Sequence, residues 1–259
     1  MRLIGFSTGA VAYSDFQRAL ELLSSEPVNC VELSALRLHE VGPLLSSVKT
    51  LDLRRYKYVS FHAPSKFSAE EERPLVERLT CLPSEWPIIL HPDVIRDFAL
   101  WRPFGSRLAI ENMDRRKPVG RTVEELRPIF DELPHATMCF DIGHARQCDT
   151  SMTEAYKLLK DFQNRLKQIH ISEVNTSSQH DPISYAAKLA FQEVASLIPP
   201  GIPMILESRV AQSEISQEIL RATEALPEFG PVLTSPRPSE VPALPFPQGS
   251  TQNRPMRVT

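Results

Sequence analysis

The sequence contains few features of secreted, membrane-bound or nucleic-acid-binding proteins. It has only four cysteines in 259 residues, and none of them pair in a CxxC motif. No stretch approaches the roughly 18 continuous apolar residues of a membrane span, and the N-terminal residues lack the apolar core of a signal peptide. A net charge of −3 provides no global basic field for nucleic acid or anionic membranes. We therefore expect a reduced, cytoplasmic protein with a small-molecule substrate, which does not bind nucleic acid or a membrane.

The most informative feature that is present is a series of eight short apolar runs, each of which stops on a polar residue. The runs end on Ser7, Glu32, His62, His91, Glu111, Asp141, His170 and Glu207. Seven of these eight residues are potential metal ligands. One such residue at the end of a strand is usually a surface residue, but packing gives no reason for seven of them. The pattern indicates that the strand ends converge on one place and hold something there.

The spacing of these runs predicts the fold. Successive run ends are about 20 to 37 residues apart, which is the size of a βαβ unit, and the segments between many of them have the periodicity of amphipathic helices. Eight such units with polar residues at the strand ends predict a (β/α)8 barrel over residues 1–226. A doubly wound open sheet is the alternative fold, but it would collect ligands near one switch point.

The last 33 residues, 227–259, differ in composition, with many prolines among Ser, Gln and Arg. Because proline removes backbone donors and favours extended geometry, no regular helix is expected here. We predict an extended or disordered tail. It either straps along the barrel or links it to a partner.

The last four run ends predict a metal site. Glu111, Asp141, His170 and Glu207 would lie on neighbouring strands, at the C-terminal end of the barrel where active sites are found. Three carboxylates and one imidazole in one cavity need a compensating cation. This ligand set suits Mn, Zn, Mg or Co, and we expect one divalent cation, with two or three as the alternative.

Other histidines extend this site. His62 and His91 would form a second, nitrogen-rich pocket that shares Glu111 as a bridge. His144 and His180 would contact a further metal or the substrate, and Glu32 would bind metal, contact substrate or pair with Arg37.

In order along the chain, the segments SFHAP, IILHPD, LAIENMD, CFDIGHA, QIHISEV and ILES resemble the motifs of the xylose isomerase-like TIM barrels. That superfamily includes sugar and sugar-phosphate isomerases, tagatose-type 3-epimerases and endonuclease IV. The resemblance to the epimerases implies that Glu111, Asp141, His170 and Glu207 hold the metal. It also implies that Glu111 and Glu207 act as an acid/base pair on opposite faces of a sugar carbon, through an enediolate.

The resemblance to endonuclease IV implies further ligands at His62, His91 and His144. The Asp of that enzyme's Asp–x–His pair is replaced here by Ser178. Met113 replaces the lysine that xylose isomerase uses for a hydride shift, which disfavours that reaction.

Three functions follow from these observations. The first is a metal-dependent isomerase or 3-epimerase acting on a small sugar or hydroxy-carbonyl compound. The second is a multi-metal phosphoester hydrolase of the endonuclease IV kind, and the third is a metal-dependent enzyme or binding protein for an unusual substrate. Arg37, Asn112 and Arg209 follow strand ends and are predicted to contact substrate. Many of these barrels pair through loops, so a homo-oligomer is compatible with the sequence.

Overall fold

The computed structural model describes residues 3–13 and 15–228, and eight parallel strands in this range close into a barrel. The predicted (β/α)8 fold is therefore confirmed. The barrel strands are β1 (Ile4–Ser7), β2 (Cys30–Ser34), β3 (Tyr58–His62), β4 (Ile88–Leu90), β5 (Leu108–Glu111), β6 (Thr137–Asp141), β7 (Leu166–Ile171) and β10 (Met204–Leu206). A small antiparallel hairpin, β8 (Glu173–Val174) and β9 (His180–Asp181), lies in the loop after β7.

Helices alternate with the barrel strands. They are α1 (Thr8–Ala12), α2 (Phe16–Leu23), α3 (Leu38–Ser47), α4 (Ala69–Leu79), α5 (Phe98–Trp101), α6 (Val123–Glu132), α7 (Ile142–Cys148), α8 (Thr153–Phe162), α9 (Tyr185–Val194) and α10 (Ile215–Ala225). Thr122 caps the N-terminus of α6, because its hydroxyl accepts a hydrogen bond from the Glu125 amide at 3.3 Å. Within the described residues, no helix is both long and apolar enough to cross a membrane.

The strands separate an apolar layer from a mixed interior. Side chains that point outwards from the strands, such as Phe61 and Phe140, are buried in the large core formed with the helices. Inside the barrel, Ile89, Ala109 and Cys139 form a separate small apolar cluster. Because side chains alternate along a strand, the next inward positions after Ala109 and Cys139 are Glu111 and Asp141. The polar residues therefore lie directly above an apolar plug.

Two of the predicted strand ends are wrong in position. Glu32 lies in the middle of β2, which continues to Ser34, and His170 is followed by Ile171 in β7. Strands in a closed barrel are tilted and staggered, so equivalent positions in sequence reach different depths. Glu32 consequently pairs with Ser60, whereas Ser34 pairs with His62. Glu32 lies one inward-facing layer deeper than expected.

The tail prediction falls almost entirely on residues 229–259, which lie outside the described residues. The domain boundary at 226/227 therefore stays a prediction.

The contact between β1 and β2 gives a test of the barrel. A Cβ at Gly5 would be only 1.9 Å from the Cys30 carbonyl oxygen, which is backbone of the neighbouring strand. We expect Gly5→Ala to lower the free energy of unfolding by about 1–3 kcal/mol or more, because overpacking at backbone cannot relax by a rotamer change. Chemical denaturation measures this loss.

Gly42→Ala in α3 is the matched control, because its Cβ would meet only the end of the flexible Arg78 side chain, at 2.8 Å. Alanine is favoured over glycine in a helix by about 0.5–1 kcal/mol, so this variant should be neutral or more stable. Equal effects of the two substitutions would contradict the described packing.

Candidate metal centre

Four polar side chains from consecutive barrel strands meet in the upper part of the barrel. Glu111 and Asp141 end β5 and β6, His170 is the penultimate residue of β7, and Glu207 directly follows β10. One potential ligand atom from each lies within 4.8 Å of the others. Glu111, Asp141 and His170 are almost completely buried, and the Glu207 side chain is 12% exposed. The convergence predicted from the sequence is present in the structure.

The charges of this group oppose one another. Burial raises the pKa of Asp141, and the charge of Glu111 raises it further. Burial also raises the pKa of Glu207 to about 8. The charge of His170 lowers this pKa, and the carboxylates of Glu111 and Asp141 raise it. For Glu111, burial acts in the same direction, but the charges of His170 and His91 outweigh it and hold the pKa well below its usual range. The imidazoles of His170 and His91 thus stabilise the ionised form of Glu111, one of the three carboxylates.

The bonding of Asp141 fits a cation as the missing partner. Its Oδ1 accepts a hydrogen bond from the His144 amide at 2.6 Å, which caps α7. Its Oδ2 is buried and has no hydrogen-bond partner in the part of the chain that the structure describes, and its ion-pair contact is with His144 Nδ1 at 3.4 Å. A buried carboxylate oxygen without a partner is costly. Three carboxylates and one imidazole are a suitable ligand set for Mn2+, Zn2+, Mg2+ or Co2+.

Glu111 also belongs to a second group of potential ligands, with His62 and His91. Its Oε2 lies 3.2 Å from His62 Nε2 and 3.3 Å from His91 Nε2. Its Oε1 lies 3.3 Å from His170 Nδ1 and 3.4 Å from His144 Nδ1. The two oxygens of one carboxylate therefore face two separate sets of histidines, which is the arrangement of a bridging ligand.

A third group consists of Asp141, His144 and His180. His180 lies in β9, and its Nδ1 is 2.8 Å from the Ser172 hydroxyl and 3.4 Å from Glu207 Oε2. Asp181 does not add a carboxylate to this group, since its Oδ2 accepts a hydrogen bond from Asn175 Nδ2 at 2.8 Å. The third group has one acid and two imidazoles.

Glu32 lies deeper in the barrel and belongs to a fourth group of potential ligands, with His62, His170 and Glu207. It is fully buried, and its Oε2 is 3.0 Å from His170 Nε2 and 3.1 Å from the Ser60 hydroxyl. Arg37, which was one of three alternatives for what Glu32 contacts, is exposed and forms an ion pair with Glu40 at 3.4 Å.

The three residues predicted to contact substrate lie in different environments. Arg209 lines the cavity of about 240 Å³ above the ligand groups. Asn112 is buried, and both ends of its carboxamide bond the backbone of Asp141 at 2.8 Å, so it fixes the end of β6. Arg37 is not among the residues that line this cavity, and its side chain is 69% exposed. Two cationic residues were missed, Arg116 and Lys117. The run Arg115–Lys117 soon after β5 was the available signal.

Residues 97–226 match the family model described as xylose isomerase-like TIM barrel. The chain belongs to this family, as the resemblance of its motifs predicted. No curated protein is significantly similar to it in sequence.

Solved structures with low sequence identity share the fold. The 3-keto-D-glucoside 4-epimerase YcjR from E. coli is 15% identical with a TM-score of 0.51, over 85% of this chain and 98% of that chain. The zinc-binding IolI protein is 13% identical with a TM-score of 0.55, over 87% and 96%. SacUVDE is 14% identical with a TM-score of 0.54, over 86% and 98%. At these identities the similarity establishes the architecture alone.

The unpartnered oxygen of Asp141 leads to a prediction for Asp141→Asn. Without metal, this variant should unfold at the same temperature as the wild type or a few degrees higher, because it removes one buried like charge and keeps the Oδ1 cap. A divalent cation binds only the folded protein and should raise the melting temperature of the wild type. We expect that increase to disappear in the variant. Thermal unfolding with chelator and with Mn2+ or Zn2+ measures both effects.

The control is Asp161→Asn, which changes a partly exposed aspartate paired with Arg127 outside the site. It should keep the metal-induced increase. A full increase in Asp141→Asn would show that Asp141 is not a ligand.

Proposed function

We propose that this protein is a divalent-metal-dependent isomerase or 3-epimerase of a small sugar or hydroxy-carbonyl compound. The observation that carries the proposal is the position of two carboxylates. Of the four residues in the first group, Glu111 and Glu207 line the cavity, whereas Asp141 and His170 are not among its lining residues. Two carboxylates that face one cavity can act as the general base and general acid that remove a proton from a substrate carbon and return it.

The size of the cavity supports a small substrate. The cavity of about 240 Å³ is smaller than the roughly 300–1,000 Å³ of most ligand sites, and most of its lining residues are polar or charged. A divalent cation held by the first group would supply Lewis acidity, which stabilises negative charge on a carbonyl oxygen. The fold is shared with an epimerase and with a zinc-binding protein, which agrees with this chemistry.

Glu207 is the better placed carboxylate for the first proton transfer. It is partly exposed to the cavity, and burial raises its pKa to about 8, within the range in which a carboxylate exchanges protons near neutral pH. Glu111 is engaged by histidines on both oxygens. We assign Glu111 to ligation and, as the resemblance to the epimerases implies, to the proton on the opposite face of the carbon.

The rim of the cavity favours an anionic substrate. Arg116, Lys117 and Arg209 all line it. Lys117 pairs with Asp93 at 2.9 Å and Arg116 with Asp114 at 3.2 Å. Among the described residues no carboxylate pairs with Arg209, whose guanidinium lies 5.6 Å from the ring centre of Tyr13. Arg209 is therefore the cation that we assign to a phosphate or carboxylate group of the substrate.

Glu207→Gln tests the proposal. Its amide keeps the shape of the side chain but does not take up a proton, so turnover should fall by at least about 100-fold while the melting temperature is retained. Ketoses, ketose phosphates and hydroxypyruvate-like compounds form the substrate screen. Proton NMR in deuterated water reports both interconversion and exchange at the carbon beside the carbonyl.

Glu193→Gln, on the exposed face of α9, serves as the control and should keep wild-type turnover. Unchanged turnover in Glu207→Gln on the substrate that the wild type converts would exclude the acid/base role.

The two-sided bonding of Glu111 specifically favours a second candidate, a multi-metal phosphoester hydrolase. Two cations bridged by one carboxylate can activate a water and clamp a phosphate. The first candidate uses His62 and His91 only as neighbours of Glu111 Oε2, at 3.2 Å and 3.3 Å, but this one requires them as ligands. The net charge of −3 and the small cavity favour a small phosphoester over DNA.

The double variant His62→Asn, His91→Asn separates the two candidates. The hydrolase predicts that the wild type holds two or more cations, that the variant loses at least one, and that cleavage of bis-p-nitrophenyl phosphate and of abasic DNA falls to background. The isomerase predicts that the variant keeps the cation of the first group and its turnover. Elemental mass spectrometry of protein purified without chelators counts the cations.

His39→Asn is the matched control, because this histidine is 76% exposed on α3. Its metal content should equal that of the wild type. Hydrolysis that persists in the double variant with a full metal count would contradict the second candidate.

A further inference from the structure

A buried carboxylate lies beneath the ligand groups, at a depth where a charge needs a specific reason. Glu32 is fully buried in the middle of β2 and faces the barrel interior. It is not among the residues that line the cavity. Substrate contact therefore does not explain it, and its role must be read from its bonding.

One oxygen of Glu32 collects the polar contacts of this layer. Oε2 accepts hydrogen bonds from Gln168 Nε2 at 2.7 Å and from the Ser60 hydroxyl at 3.1 Å, and it lies 3.0 Å from His170 Nε2. The Gln168 carboxamide is itself held, since its Oε1 accepts a hydrogen bond from the Tyr58 hydroxyl at 2.8 Å. Hydrogen bonds from two strands, β3 and β7, thus fix the carboxylate against one side of His170. Gln168 Nε2 also lies 2.8 Å from His170 Nε2, and its amide protons have Glu32 Oε2 and Cys139 Sγ, at 3.7 Å, as acceptors.

The other side of His170 faces the first ligand group. Its Nδ1 is 3.3 Å from Glu111 Oε1 and 3.5 Å from Glu207 Oε2. A neutral imidazole carries one N–H and one lone pair, and an ionised carboxylate only accepts hydrogen bonds. With the proton on Nε2, directed at Glu32, the lone pair of Nδ1 points into the ligand group.

We propose that Glu32 is a positioning residue that holds His170 in the tautomer able to bind a cation. The inference rests on the proposed function, because it assumes that the first group binds a metal. When one ring nitrogen of a histidine binds a metal, a carboxylate that accepts a hydrogen bond from the N–H of the other nitrogen orients the ring and increases its basicity as a ligand. This role explains why a charged side chain is buried at this depth, because a neutral glutamine would accept the N–H of His170 less strongly.

Glu32→Gln tests the proposal through metal affinity. The substitution keeps the size of the side chain and removes the charge. We expect the affinity for Mn2+ or Zn2+, measured by competition with a chromogenic chelator, to fall about 10- to 100-fold at unchanged stoichiometry. Glu218→Gln is the matched control, because Glu218 is an equally buried carboxylate, bonded to the Ile183 amide and Arg221 away from the site. It should keep wild-type affinity.

A second measurement needs no folded variant of Glu32. In Zn2+-loaded wild-type protein labelled with 15N-histidine, long-range NMR correlations identify which nitrogen of each ring carries the proton, and a His170→Asn variant assigns the signal. The Nε2–H form of His170 is expected. The Nδ1–H form would overturn the proposal, as would wild-type affinity in Glu32→Gln.

The outcomes separate this inference from the proposed function. Loss of a whole cation from Glu32→Gln would make Glu32 a ligand and overturn the positioning role. Wild-type protein that binds no cation would refute the metal-dependent function, and with it the positioning role. Normal metal binding with an unaltered affinity in the variant would refute the role of Glu32 alone.

Discussion

Like charges held close together in a water-poor barrel are the constraint on which the rest of the structure depends. Glu111, Asp141 and Glu207 are fixed at strand ends, so they cannot separate to relieve their repulsion. Imidazoles satisfy part of the negative charge, chiefly on Glu111. Asp141 Oδ2 lacks a hydrogen bond within the described residues and lies 3.4 Å from His144 Nδ1, so its charge is less well compensated. A divalent cation would complete the balance, as the proposed function requires.

The interior of the barrel is organised by depth. The apolar cluster of Ile89, Ala109 and Cys139 and the hydrogen-bonded group of Glu32 and Gln168 lie side by side, with Gln168 Nε2 3.7 Å from Cys139 Sγ. The candidate ligand groups lie above both, and cationic residues such as Arg209 line the opening. In our proposal the Glu32 carboxylate orients His170, and the candidate ligands set the chemistry that the cavity can perform.

Glu111 connects the two candidate reactions. Its place on the cavity wall suits proton transfer, and the division of its oxygens between two sets of histidines suits a bridge between cations. The same family fold supports both kinds of site, since function in a TIM barrel depends on residues at the strand ends and not on the scaffold. The histidines of β3 and of the residue after β4 therefore decide which chemistry is available.

The sequence by itself determined the (β/α)8 barrel and which strand-end residues meet as candidate ligands. Strand ends repeat at βαβ spacing, and parallel strands bring their C-terminal ends to one face, so Glu111, Asp141, His170 and Glu207 were predictable as neighbours. Local periodicity carries that information.

Only the tertiary structure decided depth and bonding. Because the strands are staggered, Glu32 lies below the candidate ligands. The carboxamide of Asn112 forms hydrogen bonds with the backbone of Asp141, and Arg37 is exposed. These outcomes depend on contacts between residues roughly 30 to 140 positions apart. One-dimensional spacing carries no information about such contacts, because they arise from strand tilt and closure of the barrel.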